Sequence, residues 1–199
     1  MNFDALLSAR VRALRKARGL TLDQLAELSS VSRSMISLIE RQETSPTAAV
    51  LNKLADALGV SLPTLLAPDA PSPAPQPIAR QADQPVWTDP GSGYVRRQLS
   101  PAGWPSPIEL VELRFPAGQR VSFDNPTRSI VIHQQLWLLE GVMAITAGDQ
   151  HWQLEAGDCL AMTLGHRVVF HNLGKQDARY LLALSTSTPQ PTPATRSAS

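Results

Sequence analysis

The chain has 199 residues, 43% of them apolar, a formal net charge of +1 and a single cysteine, Cys159. That length suits one or two small domains, and one cysteine excludes an internal disulfide framework and fits a reducing cytoplasm. No apolar run reaches transmembrane length and the N-terminus lacks the apolar core of a secretion signal, so a cytoplasmic protein with no membrane partner is expected.

In chain order, the first predicted helix covers roughly Ser8 to Ala17 and carries Arg10, Arg12, Arg15 and Lys16, with Arg18 just beyond. Thr21 then reads as the N-cap of a helix over Leu22–Leu28, with Gln24 closing a capping box and Leu20 and Leu25 as a hydrophobic staple. The arrangement repeats at once. Ser32 caps a helix over Arg33–Arg41, with Val31 and Ile36 as the staple. Leu22, Leu25, Ala26, Val31, Met35, Ile36 and Ile39 recur at helical spacing and form one buried face. Arg33, Ser34, Ser37 and Arg41 fall on the other. Short polar side chains let a helix sit deep against base edges, and Arg can make two hydrogen bonds to guanine. Two capped helices with such a second face have the layout of a helix-turn-helix, whose second helix enters the major groove of duplex DNA. Further helices are predicted over Thr47–Leu58, with Ser45 and Pro46 as cap and first-turn proline and Gly59 as C-cap, and over Leu62–Leu66. Residues 1–66 hold eight Lys or Arg against six Asp or Glu, a small positive excess concentrated on the first helix, where cations can displace phosphate counterions.

Residues 67–85 include six prolines and read as a semi-rigid spacer. Residues 86–185 hold short apolar or alternating runs: IELVELRF (108–115), QLWLLEG (135–141), VMAITAG (142–148), HWQL (151–154), DCLAMT (158–163), RVVFHN (167–172) and ARYLLAL (178–184). Turn signals between them at Gly141, Gly148, Gly157 and Gly174 predict an antiparallel sandwich or barrel. Cys159, in an apolar run, is expected to be buried and inert. Asp149 and Asp158 read as turn residues, Trp104 as part of a loop packed on the barrel, and Trp137 and Trp152 as core, pocket or interface. Residues 186–199 read as a disordered tail.

Residues 10–66 resemble a lambda-repressor-like domain of the xenobiotic-response-element (Cro/C1-type) family. The resemblance implies five helices and a structural ion pair between Arg15 and Glu40 rather than DNA contacts by these two. Three positions depart from the family's pattern. Ser30 and Gln42 stand where Gly is usual, and Leu22 stands where a Gln often touches phosphate. If the backbone at Ser30 and Gln42 keeps positive φ, each substitution costs about 1 kcal/mol.

Residues 86–185 resemble a cupin. Gly157, Gly165 and Asn172 fit its second motif without gaps, although Thr163 holds the Pro position and Val168 the His position. The end of the first motif fits QLWLLEG, with Gln134 in place of the Glu ligand. In FPAGQRVSFDNP, Ser122, Asp124 and Pro126 stand where a His pair would be sought. A cupin metal needs imidazole and carboxylate donors, so no metal, no cofactor and no enzymatic activity are expected. His133, His151, His166 and His171 are read as surface or edge residues.

The fold class expected is therefore multidomain: a five-helix α domain over 1–66, then an all-β cupin (double-stranded β-helix) barrel over 86–185. The barrel interior could hold a small organic effector, with Gln134, Leu136, Leu138, Thr163, Val168 and Phe170 as lining, or be a closed core with a dimer interface. The resemblance implies a homodimeric transcriptional regulator that binds a palindromic operator in double-stranded DNA. Arg33, Ser34 and Ser37 would read bases, and Arg41 and the Ser32 backbone would touch phosphate. An antitoxin-like repressor whose barrel binds a protein partner is the alternative.

Overall fold

The computed structural model describes residues 3–60, 62–66, 75–124 and 131–187. Residues 67–74 of the spacer, Pro126 and residues 188–199 of the tail lie outside the described residues.

Five helices form the N-terminal part: α1 (Phe3–Ala17), α2 (Leu22–Ser29), α3 (Arg33–Glu40), α4 (Ala48–Ala57) and α5 (Leu62–Leu66). Helix α1 begins at Phe3, five residues before its expected start. Leu7 and Val11 are one turn apart and both buried, so the apolar stripe starts earlier, and Asp4 in the first turn suits the positive end of the helix dipole. The Thr21 hydroxyl accepts from the Gln24 N–H at 3.1 Å, and the Gln24 side chain accepts from the Thr21 N–H at 2.8 Å, completing the capping box. The Ser32 hydroxyl accepts from the Met35 N–H at 3.2 Å. Helix α4 is capped by Thr47, not by Ser45 as expected; the Ser45 hydroxyl instead donates to Asp4 at 2.7 Å. Gly59 ends α4 in a left-handed turn, with its N–H on Asp56 O and the Val60 N–H on Ala55 O. Leu25, Ile36, Ile39, Leu51 and Leu54 fill the space between the helices.

A short 3-10 turn (Gln81–Asp83) leads from the described end of the spacer into ten strands, so this part of the spacer has local structure. The strands are β1 (Val86–Thr88), β2 (Val95–Gln98), β3 (Ile108–Phe115), β4 (Arg120–Phe123), β5 (Val131–Glu140), β6 (Val142–Ala147), β7 (Gln150–Glu155), β8 (Cys159–Leu164), β9 (Val168–His171) and β10 (Ala178–Ser187). Thr186 and Ser187, read from sequence as tail, thus belong to a strand.

The pairing is nested: β3 with β10, β4 with β9, β5 with β8, and β6 with β7, all antiparallel. Pairing of β10 with β5 and of β9 with β6 gathers these strands into two sheets, β3-β10-β5-β8 and β4-β9-β6-β7. This is the eight-stranded jelly roll, the double-stranded β-helix of cupins. Strands β1 and β2 extend the edge of the larger sheet.

The motif residues prove structural. Gly141 has φ 83°, and an added Cβ there would lie 2.9 Å from Ala178 Cα, which only glycine tolerates. Asn172 is fully buried and ties the β9–β10 loop to the end of β3: its amide donates to Phe115 O and Gln176 O, and its Oδ1 accepts from the Gly174 N–H. Asp158 acts as a turn residue, accepting from the Glu155 N–H at 2.8 Å.

Two readings of β8 need correction. Leu160, Met162 and Leu164 face inward, so Cys159 and Thr163 point outward and are exposed. Strand side chains alternate faces, and an error of one residue in parity reverses every assignment. Trp104 is also half-exposed rather than packed away.

The helical part docks on one end of the barrel. The Ala48 N–H, at the start of α4, donates to Asp89 Oδ1 at 2.8 Å, and Asn52 Nδ2 donates to Asp124 O at 2.9 Å. Asp89 is itself buried, and its Oδ2 accepts from the Ser92 N–H. A carboxylate at a helix N-terminus meets both a free N–H and the positive end of the dipole.

Candidate nucleic-acid interface and barrel cavity

Helix α3 presents its outer face as its residue pattern requires. Ile36 and Ile39 are fully buried, whereas Ser32, Arg33, Ser34 and Arg41 are exposed and Ser37 is half-buried. Ser32 Oγ and Ser34 Oγ lie 3.1 Å apart. The two arginines are in surface ion pairs: Arg33 Nε is 3.0 Å from Asp23 Oδ1, and Arg41 Nε is 2.9 Å from Glu43 Oε1. Exposed pairs of this kind contribute little to stability, so either guanidinium can exchange its partner for another anion at small cost.

The helix is held from behind by Glu40, a buried carboxylate. Arg15 donates to it through Nε at 2.6 Å and through Nη2 at 2.8 Å, and its Nη1 donates to Leu20 O. Arg12 adds a bond to Glu40 O at 3.0 Å. The hydrogen bond to Glu40, with its charge, holds the Arg15 pKa above its ordinary value against the opposing effect of burial. The Arg15–Glu40 pair expected from the family resemblance is therefore present, and it fixes α3 against α1. Arg12 and Arg15 are committed to it.

The barrel contains a cavity of ≈ 100 Å³. Of the six residues expected to line it, Gln134, Val168 and Phe170 do so. Leu136 and Leu138 share the inward face of β5 with Gln134 but are sealed in the core, and Thr163 is outside. Aromatic rings make up much of the wall. Tyr94 stacks on Phe115 at a centroid distance of 5.6 Å, Phe170 stacks on Tyr180 at 6.4 Å, and Phe123 meets Phe170 edge-on. Burial pushes both tyrosine hydroxyls well above their ordinary pKa. Asn52 of α4 and Leu62 of α5 complete the wall, so the cavity is bounded by both parts of the chain.

Sequence reasoning missed the two charged residues in this cavity, Arg96 and Glu109. In VRRQ, Arg96 looks like a surface charge. Glu109 was findable, because it shares strand parity with Val111, Leu113 and Phe115, all of which are buried. The donor set does not fit a divalent transition metal. The cupin ligand positions hold an amide (Gln134), an alkyl group (Val168), a hydroxyl (Ser122) and a carboxylate (Asp124) but no imidazole, and a guanidinium, Arg96, lines the same cavity. Among the described residues no three His, Cys, Asp or Glu side chains gather into a metal-binding group.

A capped helix pair with an open polar face, carried on a jelly-roll barrel, defines a DNA-binding regulator fused to a cupin. The family model described as "Helix-turn-helix" matches residues 11–65. The control protein C.SmaI of Serratia marcescens is 39% identical over 66 residues, covering 33% of this chain and 79% of that protein. The HTH-type transcriptional regulator SutR of Escherichia coli (strain K12) is 28% identical over 180 residues, covering 90% of this chain and 94% of that one. A crystal structure of a transcriptional regulator of the same family from Vibrio cholerae superposes with a TM-score of 0.73 at 23% identity, covering 94% of this chain and 98% of that chain. The chain belongs to the Cro/C1-type helix-turn-helix family of transcriptional regulators. Among the described residues, no helix is long and apolar enough to cross a membrane.

Proposed function

We propose that this regulator works in the cytoplasm as a homodimer on a palindromic operator. Helix α3 of each copy lies in the major groove, and the barrel serves as the sensing and dimerising half rather than as an enzyme. The observation that carries this reading is the outer face of α3. Arg33, Ser34 and Ser37 form a short-side-chained edge with one exchangeable guanidinium, on a helix locked from behind by Arg15 and Glu40. Arg33, Ser34 and Ser37 read base edges, Arg33 being suited to a bidentate contact with guanine. Arg41 and the Ser32 backbone, at the two ends of α3, contact phosphate.

Operator sequences selected from random duplexes by the full-length protein test this directly. Arg33→Ala is expected to weaken binding to the selected site by about 1–3 kcal/mol and to relax preference at one base pair in each half-site. Unchanged affinity and unchanged preference in that variant would remove Arg33 from base reading. The barrel's contribution is the cavity, whose wall includes residues of the DNA-binding part and which is placed to couple a small effector to the head.

A further inference from the structure

Buried polar atoms are almost always hydrogen-bonded, and the exceptions need a physical reason. Three exceptions meet in the barrel cavity. Arg96 Nη2, Glu109 Oε2 and Gln134 Nε2 are buried without any hydrogen-bond partner, and all three residues line it. Arg96 is 5% exposed and Gln134 is 4% exposed. An uncompensated buried charge is among the costliest features a fold can carry. Arg96 and Glu109 do not relieve it by bonding each other.

The topology shows how the three groups are arranged. Leu184 of β10 pairs with Glu109 on one side and with Gln134 on the other. Glu109 and Gln134 therefore lie in one row across three strands, about 10 Å apart at their Cα atoms. Arg96 enters from the neighbouring strand β2, opposite Leu113. The polar groups thus come from one sheet, while the rings of Phe123 and Phe170 on the other sheet supply an apolar face.

Resting on the reading of the barrel as the sensing half, we propose that this cavity binds a small organic zwitterion of the amino-acid type. Arg96 and Gln134 hold its carboxylate, Glu109 takes its ammonium, and the aromatic wall covers a short apolar side chain. Arg96 and Glu109 are the two charged side chains in the described wall, and their formal charges cancel. A simple anion would satisfy Arg96 but be repelled by Glu109, and a diamine would do the reverse. A molecule carrying both charges a few bonds apart answers both. At about 10–15 Å³ of cavity per water, there is room for roughly seven to ten non-hydrogen atoms, the size of a small amino acid. Burial raises the Glu109 pKa against the opposing charge of Arg96, and an arriving ammonium would restore the carboxylate.

Isothermal titration and thermal unfolding of the full-length protein test the proposal. The probes are alanine, valine, leucine, methionine and phenylalanine, with their amides (no carboxylate) and their des-amino acids (no ammonium). At least one amino acid is expected to bind and, at a hundredfold excess over its Kd, to raise Tm by about 5–10 °C. Its amide and its des-amino acid should bind at least tenfold more weakly. Arg96→Met and Gln134→Leu should each lose tenfold or more in affinity, while the ligand-free Tm of Gln134→Leu stays level or rises because an orphaned polar group is gone. Glu109→Gln should lose the preference for the amino acid over its des-amino acid. A flat titration across the panel, or equal affinity in Arg96→Met, overturns the assignment. Operator binding measured on the same samples separates the two ideas. A flat titration with intact operator affinity removes the ligand class alone, whereas wild-type protein with no operator affinity removes the regulator reading.

Discussion

Ser30 and Gln42 are the two non-glycine residues with positive φ among the described residues, at 54° and 64°. Both end helices of the DNA-binding head. At Gln42 the geometry is that of a glycine-type cap, with the Gln42 N–H on Ile39 O and the Glu43 N–H on Leu38 O. A Cβ in the left-handed region crowds the neighbouring carbonyl, whereas glycine does not. The loss of that strain outweighs the extra freedom glycine gives the unfolded chain. Ser30→Gly and Gln42→Gly are each expected to raise stability by up to about 1 kcal/mol, or roughly 2–4 °C in Tm for a chain of this size. Differential scanning calorimetry checks this, and a fall in Tm for either variant would contradict the strain. Neither residue is on the outer face of α3, so operator affinity should not change.

At the scale of elements, the outer face of the larger sheet carries an apolar strip beside charged residues, Glu112, Arg114 and Arg179. Leu181 pairs with Trp137, and Trp137 pairs with Cys159; one row over, Leu110, Ala183, Gln135 and Ala161 lie side by side. Trp137 is 49% exposed at the centre of this surface. A two-fold dimer can pair this patch with itself, which supports the sheet as the joint between two copies. Trp137→Arg is expected to weaken dimerisation about 30-fold or more, read by analytical ultracentrifugation across a dilution series. An unchanged dimer would place the joint elsewhere. The elements themselves were largely legible in the sequence. Caps at Thr21 and Ser32 act within four residues, and the turn glycines mark most strand ends, so both signals are local. Strands β1 and β2 are only three and four residues long, and Arg96 and Arg97 disguise the second. The cavity was less legible. Whether Arg96 and Glu109 face a common space depends on which strands lie side by side, and only the nested pairing decides that. Thr163 was misplaced for a related reason: it pairs with outward His133, while Met162 pairs with inward Gln134.

At the scale of the whole molecule, a proline-rich spacer alone would transmit orientation poorly. The docked head offers a direct route instead. Asn52 and Leu62 belong to the helical part and yet line the barrel cavity, so a ligand there touches both halves. Its influence on the head must pass through the joint, whose buried polar anchors are Asp89 and Asn52; Asn52 lines the cavity, so Asp89 is the one that can be removed without touching a ligand-lining side chain. Asp89 accepts from the Ala48 N–H and, on its other oxygen, from Ser92. It does not line the cavity and lies far in sequence from α3. Removing its carboxylate leaves the α4 N–H unpaired and loosens the head, which draws Asn52 and Leu62 away from the cavity wall but leaves the outer face of α3 untouched. Asp89→Ala is therefore expected to bind the effector more weakly, because the head's share of the cavity wall is lost, while keeping its affinity for the operator in the absence of effector. Coupling between the two sites, typically 5–150-fold in regulators of this kind of energy scale, should fall towards unity. Fluorescence anisotropy of labelled operator, with and without saturating effector, measures the ratio in wild type and variant. Small-angle scattering should show a larger radius of gyration for the variant as the head leaves the barrel. A variant that responds to effector as fully as wild type would mean that the signal bypasses the α4 joint, leaving the spacer or the dimer interface to carry it.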